Sequence, residues 1–228
     1  MAQPVREFAR GDGPGVITPD GCAVEFYSLL HAEGEPEIVH RAAGDGASIL
    51  ELGCGAGRMT HPLIDLGHAV TAVDESPEML EKVHGATKVR SSIENLHLSR
   101  RFDAVLLASQ LVNVPDDALR RELLAACRRH VRDGGHVIVQ RSPASWFDVK
   151  PRTRIRGGIA YRIAELEPLD GGRMKMTMIY TVGDRSWTHA FTTRVLEDPE
   201  LETELKSTGL TLEEYLTPDH SWLSARPI

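Results

Sequence analysis

Residues 48–58 read Ser-Ile-Leu-Glu-Leu-Gly-Cys-Gly-Ala-Gly-Arg and bring a carboxylate, three alternating glycines and a guanidinium into one short run. Glycines lack Cβ atoms, so a backbone built from Gly53, Gly55 and Gly57 can approach a ligand closely. A helix directly after them offers unpaired N–H groups and a positive dipole end, the chemistry that holds nucleotide-like ligands. Glu51, just before the first glycine, suits a cationic ligand better than a pyrophosphate. Asp74 stands 21 positions after Gly53, at the end of the β-branched run Val70-Thr71-Ala72-Val73. A carboxylate there has two acceptor oxygens for the two neighbouring hydroxyls of a ribose. Ser76-Pro77 already supplies the next helix with an N-cap and a first-turn proline, which leaves Asp74 to the ligand.

The spacing separates two ligand classes. A dinucleotide fingerprint needs G-x-G-x-x-G, and Arg58 stands where its third glycine belongs. The run Glu51-Leu52-Gly53-Cys54-Gly55-Ala56-Gly57 instead resembles the first motif of the class I S-adenosylmethionine (SAM) dependent methyltransferases. With specific motifs, the resemblance covers roughly residues 21–140. It implies SAM as cofactor, held at the turn by Glu51, Gly53, Cys54, Gly55, Gly57 and Arg58, and at the second strand end by Asp74 and Glu75. It also implies Ser92 and the backbone of Ile93 at the adenine, although the family usually places an aspartate where Ser92 stands. Met79 can lie on the adenine face or simply pack in the core. Tyr27, on a helix that folds over the cofactor in that family, carries the same alternative. Two other readings stay open: an NAD(P)-binding oxidoreductase, and a SAM-binding protein without catalysis.

These residues must be positioned by alternating elements. Helices are expected over residues 21–32 and 36–43, a strand to Leu52, a helix over 58–66, a strand over 68–74, and a helix over 77–84. Strands over 87–91, 102–108 and 136–140 follow, with a long amphipathic helix from Pro115 stopped by Gly134-Gly135. This order predicts an α/β, Rossmann-like, doubly wound, mostly parallel seven-stranded sheet with helices on both faces, closed by a hairpin over 210–225. Ala108, at the end of the fourth strand, falls at the carboxyl edge where ligands of open α/β sheets bind. Around it there is neither the Asn/Asp-Pro-Pro-aromatic run of many nucleobase amino-methylating enzymes nor the acidic set of metal-dependent catechol enzymes.

After the fifth strand the period becomes two. Residues 159–163, 174–182 and 187–195 predict three antiparallel strands inserted at about residues 155–196, the rest of 21–228 forming one domain and residues 1–20 a flexible arm. Tyr161, Trp187 and Phe191 on these strands are the candidates for binding an organic acceptor. His189, on the face of Trp187 and Phe191, is the preferred general base, since histidine titrates near neutral pH. Met174, Met176 and Met178 could instead bury that sheet against a second subunit, as a homodimer.

The composition narrows the acceptor. A formal charge of −7 and a pI near 5.8 oppose a nucleic-acid partner. Cys22, Cys54 and Cys127 are too dispersed for a disulfide framework or metal cluster, and no metal is expected. No signal peptide or membrane span is visible, so a cytoplasmic location is expected. The resulting expectation is transfer of a methyl group from SAM to a nitrogen or oxygen of a small organic molecule by in-line displacement.

Overall fold

Strands that are apolar at every position need both faces covered, and helices between them supply that cover. In the computed structural model, which describes residues 8–143 and 152–228, the elements run β1 (Ala9–Asp12), α1 (Val24–Tyr27), α2 (Glu35–Ala43), β2 (Ser48–Leu52), α3 (Thr60–Asp65), β3 (Ala69–Asp74), α4 (Pro77–Lys82) and β4 (Thr87–Arg90). Then come β5 (Phe102–Leu107), a short 3-10 turn (Leu111–Asn113), α5 (Asp117–His130), β6 (Val131–Gln140), β7 (Thr153–Arg156), β8 (Ile159–Leu169) and β9 (Arg173–Val182). The chain closes with β10 (Arg185–Arg194), α6 (Asp198–Ser207), β11 (Leu210–Tyr215) and β12 (Trp222–Pro227). These elements fall into two compact units, His31–Pro143 with Leu196–Ile228, and Met1–Leu30 with Ala144–Val195.

The larger unit holds a seven-stranded sheet in the order β11-β12-β6-β5-β2-β3-β4. β2 pairs in parallel with both β3 and β5, so the strand order switches direction between β2 and β5. Alternate residues of each strand feed opposite cores. Leu50, Leu52, Val105, Leu107, Val137 and Val139 meet Leu123, Leu124 and Cys127 of α5 and Leu201 and Leu205 of α6. Ile49, Ala104, Leu106 and Ile138 meet Val39 of α2 and Leu63 of α3 on the other face. Ser76 caps α4 by accepting the Met79 N–H, and Asp116 caps α5 by accepting that of Leu119. β6 starts five residues earlier than the sequence suggests. A register shift near Gly134-Gly135 accommodates this, where a Cβ on Gly135 would sit 2.7 Å from the Asp103 carbonyl oxygen.

The smaller unit differs from expectation in three ways. Its sheet has five strands, β1-β10-β9-β8-β7, rather than three. Residues 9–12, expected in a loose arm, form β1 and pair with β10 from Ala9↔Phe191 to Asp12↔Thr188. The accessory strands and the N-terminal strand thus fall in the same compact unit. The helix expected over residues 21–32 shortens to α1, whose Phe26 is 2% exposed and stacks on Tyr180 at 4.2 Å. Phe26→Ala removes that ring from a packed core and should cost about 3–5 kcal/mol of stability in this unit, read by urea unfolding. A loss below about 1 kcal/mol would contradict this packing.

Candidate functional site

The glycine turn lies where β2 ends, between its two parallel neighbours, the place at which open α/β sheets leave a crevice. All three glycines have positive φ, 70° at Gly53, 53° at Gly55 and 92° at Gly57, a region that side chains with a Cβ rarely adopt. Two of them are also crowded. A Cβ on Gly53 would sit 2.8 Å from Leu111 Cδ1, and one on Gly57 would sit 2.6 Å from His61 Cε1. The His61 ring cannot step aside freely, because its Nε2 accepts the His84 backbone N–H at 3.0 Å. Gly57→Ala therefore combines strain and overlap, and should cost about 1–3 kcal/mol in chemical unfolding. An unchanged midpoint would show that the turn is not held in this conformation.

Asp74 holds the turn together. Its Oδ2 accepts the Gly55 N–H at 2.8 Å and its Oδ1 the Ser76 N–H at 2.9 Å. The sequence reading left Asp74 wholly to a ligand because Ser76 caps α4. Ser76 does so, but Asp74 also latches the end of β3 to the turn after β2. A carboxylate can accept about four hydrogen bonds, so this latch is compatible with ribose hydroxyls as well. Cys54 is pinned alongside by its N–H donating to the Val73 carbonyl at 2.9 Å. Burial pushes its thiol far up, so it is a packing residue rather than a nucleophile.

Glu51 is 2% exposed, and its Oε2 accepts the Thr60 hydroxyl at 2.6 Å. Burial raises its pKa to about 7, against the lowering effects of the Thr60 bond and the Arg58 charge. A cation brought to this carboxylate would hold it ionised. Arg58 is tied to Glu35 of α2 at 2.7 Å, so it braces the turn from outside instead of standing open to a ligand. Ile93 approaches the Gly53 position, with its Cδ1 3.6 Å from where a Cβ would be. Ser92 accepts the Asn95 amide N–H at 2.9 Å. Met79 is 2% exposed, in keeping with core packing, and the Glu75 carbonyl accepts from Arg90 Nε at 3.4 Å. Beyond Ala108, Ser109 and Gln110 take positive φ of 55° and 56°, and Ser109 N–H donates to Gln140 Oε1 at 2.7 Å. Leu111 and Thr60 were missed by the sequence reading, since a leucine after a strand and a threonine opening a helix carry no distinguishing spacing.

Tyr27, Tyr161, Trp187, His189 and Phe191 belong to the smaller unit. Trp187 is 1% exposed and its Nε1 donates to the Pro14 carbonyl at 2.9 Å. It packs in a core with Phe26, their ring centroids 5.5 Å apart. His189 Nε2 donates to the Asp20 carbonyl at 3.1 Å, its ring packs on Phe191 at 4.9 Å, and burial lowers its pKa. Its Nε2–H is thereby engaged by backbone within the smaller unit. Tyr161 packs edge-on to Tyr180 at 5.8 Å. Tyr27 packs edge-on to Phe26, and burial, assisted by Cys22, drives its hydroxyl well above the ordinary tyrosine range. Met174, Met176 and Met178 are already buried, so they do not offer the open apolar face that a dimer was expected to use. Among the described residues no group of three or more His, Cys, Asp or Glu could hold a metal, and no helix is long and apolar enough to cross a membrane.

Residues 49–135, from β2 to the bulge in β6, match the family model described as "Methyltransferase domain". The ubiquinone biosynthesis O-methyltransferase of Proteus mirabilis (strain HI4320) is 30% identical over 124 residues, which are 48% of this chain and 49% of that protein. The chain spans about half the length of the curated relatives it matches. The CcbJ methyltransferase from Streptomyces caelestis superposes with a TM-score of 0.74 at 19% identity, covering 90% of this chain and 95% of that one. SAM-bound CalS10, an amino pentose methyltransferase from Micromonospora echinaspora, gives 0.64 at 17% identity, covering 91% and 93%. Residues 49–135 thus match a methyltransferase-domain model, and the chain shares the fold of these methyltransferases.

Proposed function

We propose that this chain is an enzyme that transfers the methyl group of S-adenosylmethionine to a nitrogen or oxygen of a small organic molecule. The observation that carries the reading is the glycine turn at the end of β2, latched by Asp74, at the point where strand order reverses. The residues present fit the cofactor. Gly53, Gly55 and Gly57 bring bare backbone to the ligand, Asp74 and Glu75 close the ribose end, and Ser92 and Ile93 border the adenine. Glu51 supplies the negative charge that a cationic amino-acid end and sulfonium call for. A sulfonium carries its own good leaving group, so the chain's main task is to align an acceptor. Alignment alone can supply roughly 7–11 kcal/mol.

A small acceptor is supported by the acidic charge of the whole chain and by the names of its relatives, an O-methyltransferase of ubiquinone biosynthesis and an amino pentose methyltransferase. Incubation with methyl-labelled SAM and a metabolite mixture should place label in low-molecular-weight products. Label found only in protein or RNA would overturn the small-molecule reading.

A further inference from the structure

A second group of ionisable side chains stands at the same carboxyl edge of the larger unit's sheet. Arg141, which follows β6, donates its backbone N–H to the Ser221 carbonyl at 2.9 Å, joining the end of β6 to the start of β12. Its guanidinium is 3% exposed and pairs with Asp198 at the start of α6, while its Nε donates to the His220 carbonyl at 2.8 Å. The other Asp198 oxygen accepts His220 Nδ1–H at 2.7 Å. The Tyr215 ring lies parallel to the imidazole, 3.7 Å away and 4° from coplanar. His220 also has φ +58°, a conformation that costs energy in a residue with a Cβ and persists only where its surroundings enforce it.

An imidazole that gives Nδ1–H to a carboxylate carries its lone pair on Nε2, and the His220 side chain is still 40% exposed. This is a base oriented by a third group, the arrangement that activates weak nucleophiles. From the glycine turn to His220 the edge crosses β5, β6 and β12, three spacings of roughly 4.8 Å. The two groups thus stand along one edge of one sheet.

We propose that His220, positioned by Asp198, takes the proton of the methyl acceptor, and that the acceptor group is a hydroxyl; this rests on the methyl-transfer reading above. The acceptor oxygen's lone pair forms the bond to the methyl carbon of the sulfonium donor. The carbon–sulfur bond breaks with its electron pair left on sulfur. The hydroxyl proton passes to Nε2, giving an imidazolium beside the Asp198 carboxylate. The groups that face the ring are Asp198 of α6, Arg141 after β6 and Tyr215 of β11, with Glu202 of α6 acting on Tyr215 and Asp219 next in sequence. Burial would raise the Asp198 carboxyl, but its bonds to His220 and Arg141 outweigh that and hold it below the usual range, ionised near neutral pH.

His220→Gly suits the positive φ and leaves a space the size of the lost ring. Calorimetry with SAM comes first, and its affinity should stay within about twofold of wild type. Label transfer from SAM is then followed to hydroxyl probes (catechol, 4-hydroxybenzoate, methyl glucoside) and amine probes (benzylamine, N-methylaniline). Wild type should label hydroxyl probes. The glycine variant should lose about 100-fold or more in kcat together with the acid limb of its pH profile, and added imidazole should restore turnover. His220→Gln should lose the same limb without rescue. Wild type that binds SAM yet labels only amines, or neither set, overturns the proposal, as do variants that keep rate and pH profile or lose rate without imidazole rescue. Failure of wild type to bind SAM would instead overturn the underlying methyl-transfer reading.

Discussion

Asp74→Ala should reduce SAM affinity by 100-fold or more, because the carboxylate does two jobs. It accepts the Gly55 N–H and the Ser76 N–H, and so fixes the shape of the turn before any ligand arrives. It is also the group proposed to accept the ribose hydroxyls. Hydrogen bonds to a charged group contribute about 1.5–3 kcal/mol each, and leaving buried N–H groups unpaired adds to the loss. About 3 kcal/mol is therefore a lower expectation. Asp74→Asn keeps one acceptor oxygen and should fall between alanine and wild type. Calorimetry read beside thermal unfolding of the free protein separates the two roles, since loss of the latch lowers both and loss of the ribose contact lowers only affinity. An alanine variant that binds within threefold of wild type would remove Asp74 from the site.

Glu51→Gln should make the free protein more stable at alkaline pH while weakening cofactor binding. The Glu51 carboxyl has a pKa raised from 4.5 to about 7 by burial. The folded chain therefore holds a proton that the unfolded chain has released between those values. Stability linked to this group is fully present below pH 4.5 and is lost as pH rises through 7, by about 3 kcal/mol in all. Glutamine does not titrate and can still accept the Thr60 hydroxyl. The variant should match wild type near pH 4.5 and exceed it by about 2–3 kcal/mol at pH 8, in urea unfolding at the two pH values. SAM should bind the variant more weakly, and its binding to wild type near pH 6.5 should release a proton, seen as a buffer-dependent enthalpy. Equal stability at pH 8 together with a buffer-independent enthalpy would contradict the assignment.

Much of the larger unit was legible because its signals are local. Ile49, Leu50 and Leu52 end in glycines that only a tight turn tolerates, and Ser76-Pro77 marks a helix start by capping chemistry that needs no distant partner. The smaller unit was less legible because its cohesion is nonlocal. Nothing in the polar run near Ala9–Asp12 signals a strand until β10 offers it a partner 180 positions later. The same is true of side-chain roles. Trp187 and His189 alternate with Phe191 as an acceptor-binding face would, yet which side a strand buries depends on what packs there, and Phe26 and residues 14–20 supply that packing. The Arg141–Asp198–His220 group joins residues from three elements far apart in sequence, with no motif to announce it. Asp74 was found by its spacing from Gly53, but its bond to Gly55 is a tertiary contact that spacing does not disclose.

Calorimetric titration of the purified chain with SAM, with its demethylated product and with NAD tests the central claim most directly. One molecule of SAM or of the demethylated product should bind per chain, each competing with the other, with no measurable heat from NAD. Tight binding of NAD with none of SAM would contradict the assignment of the glycine turn and Asp74 to a methyl-transfer cofactor.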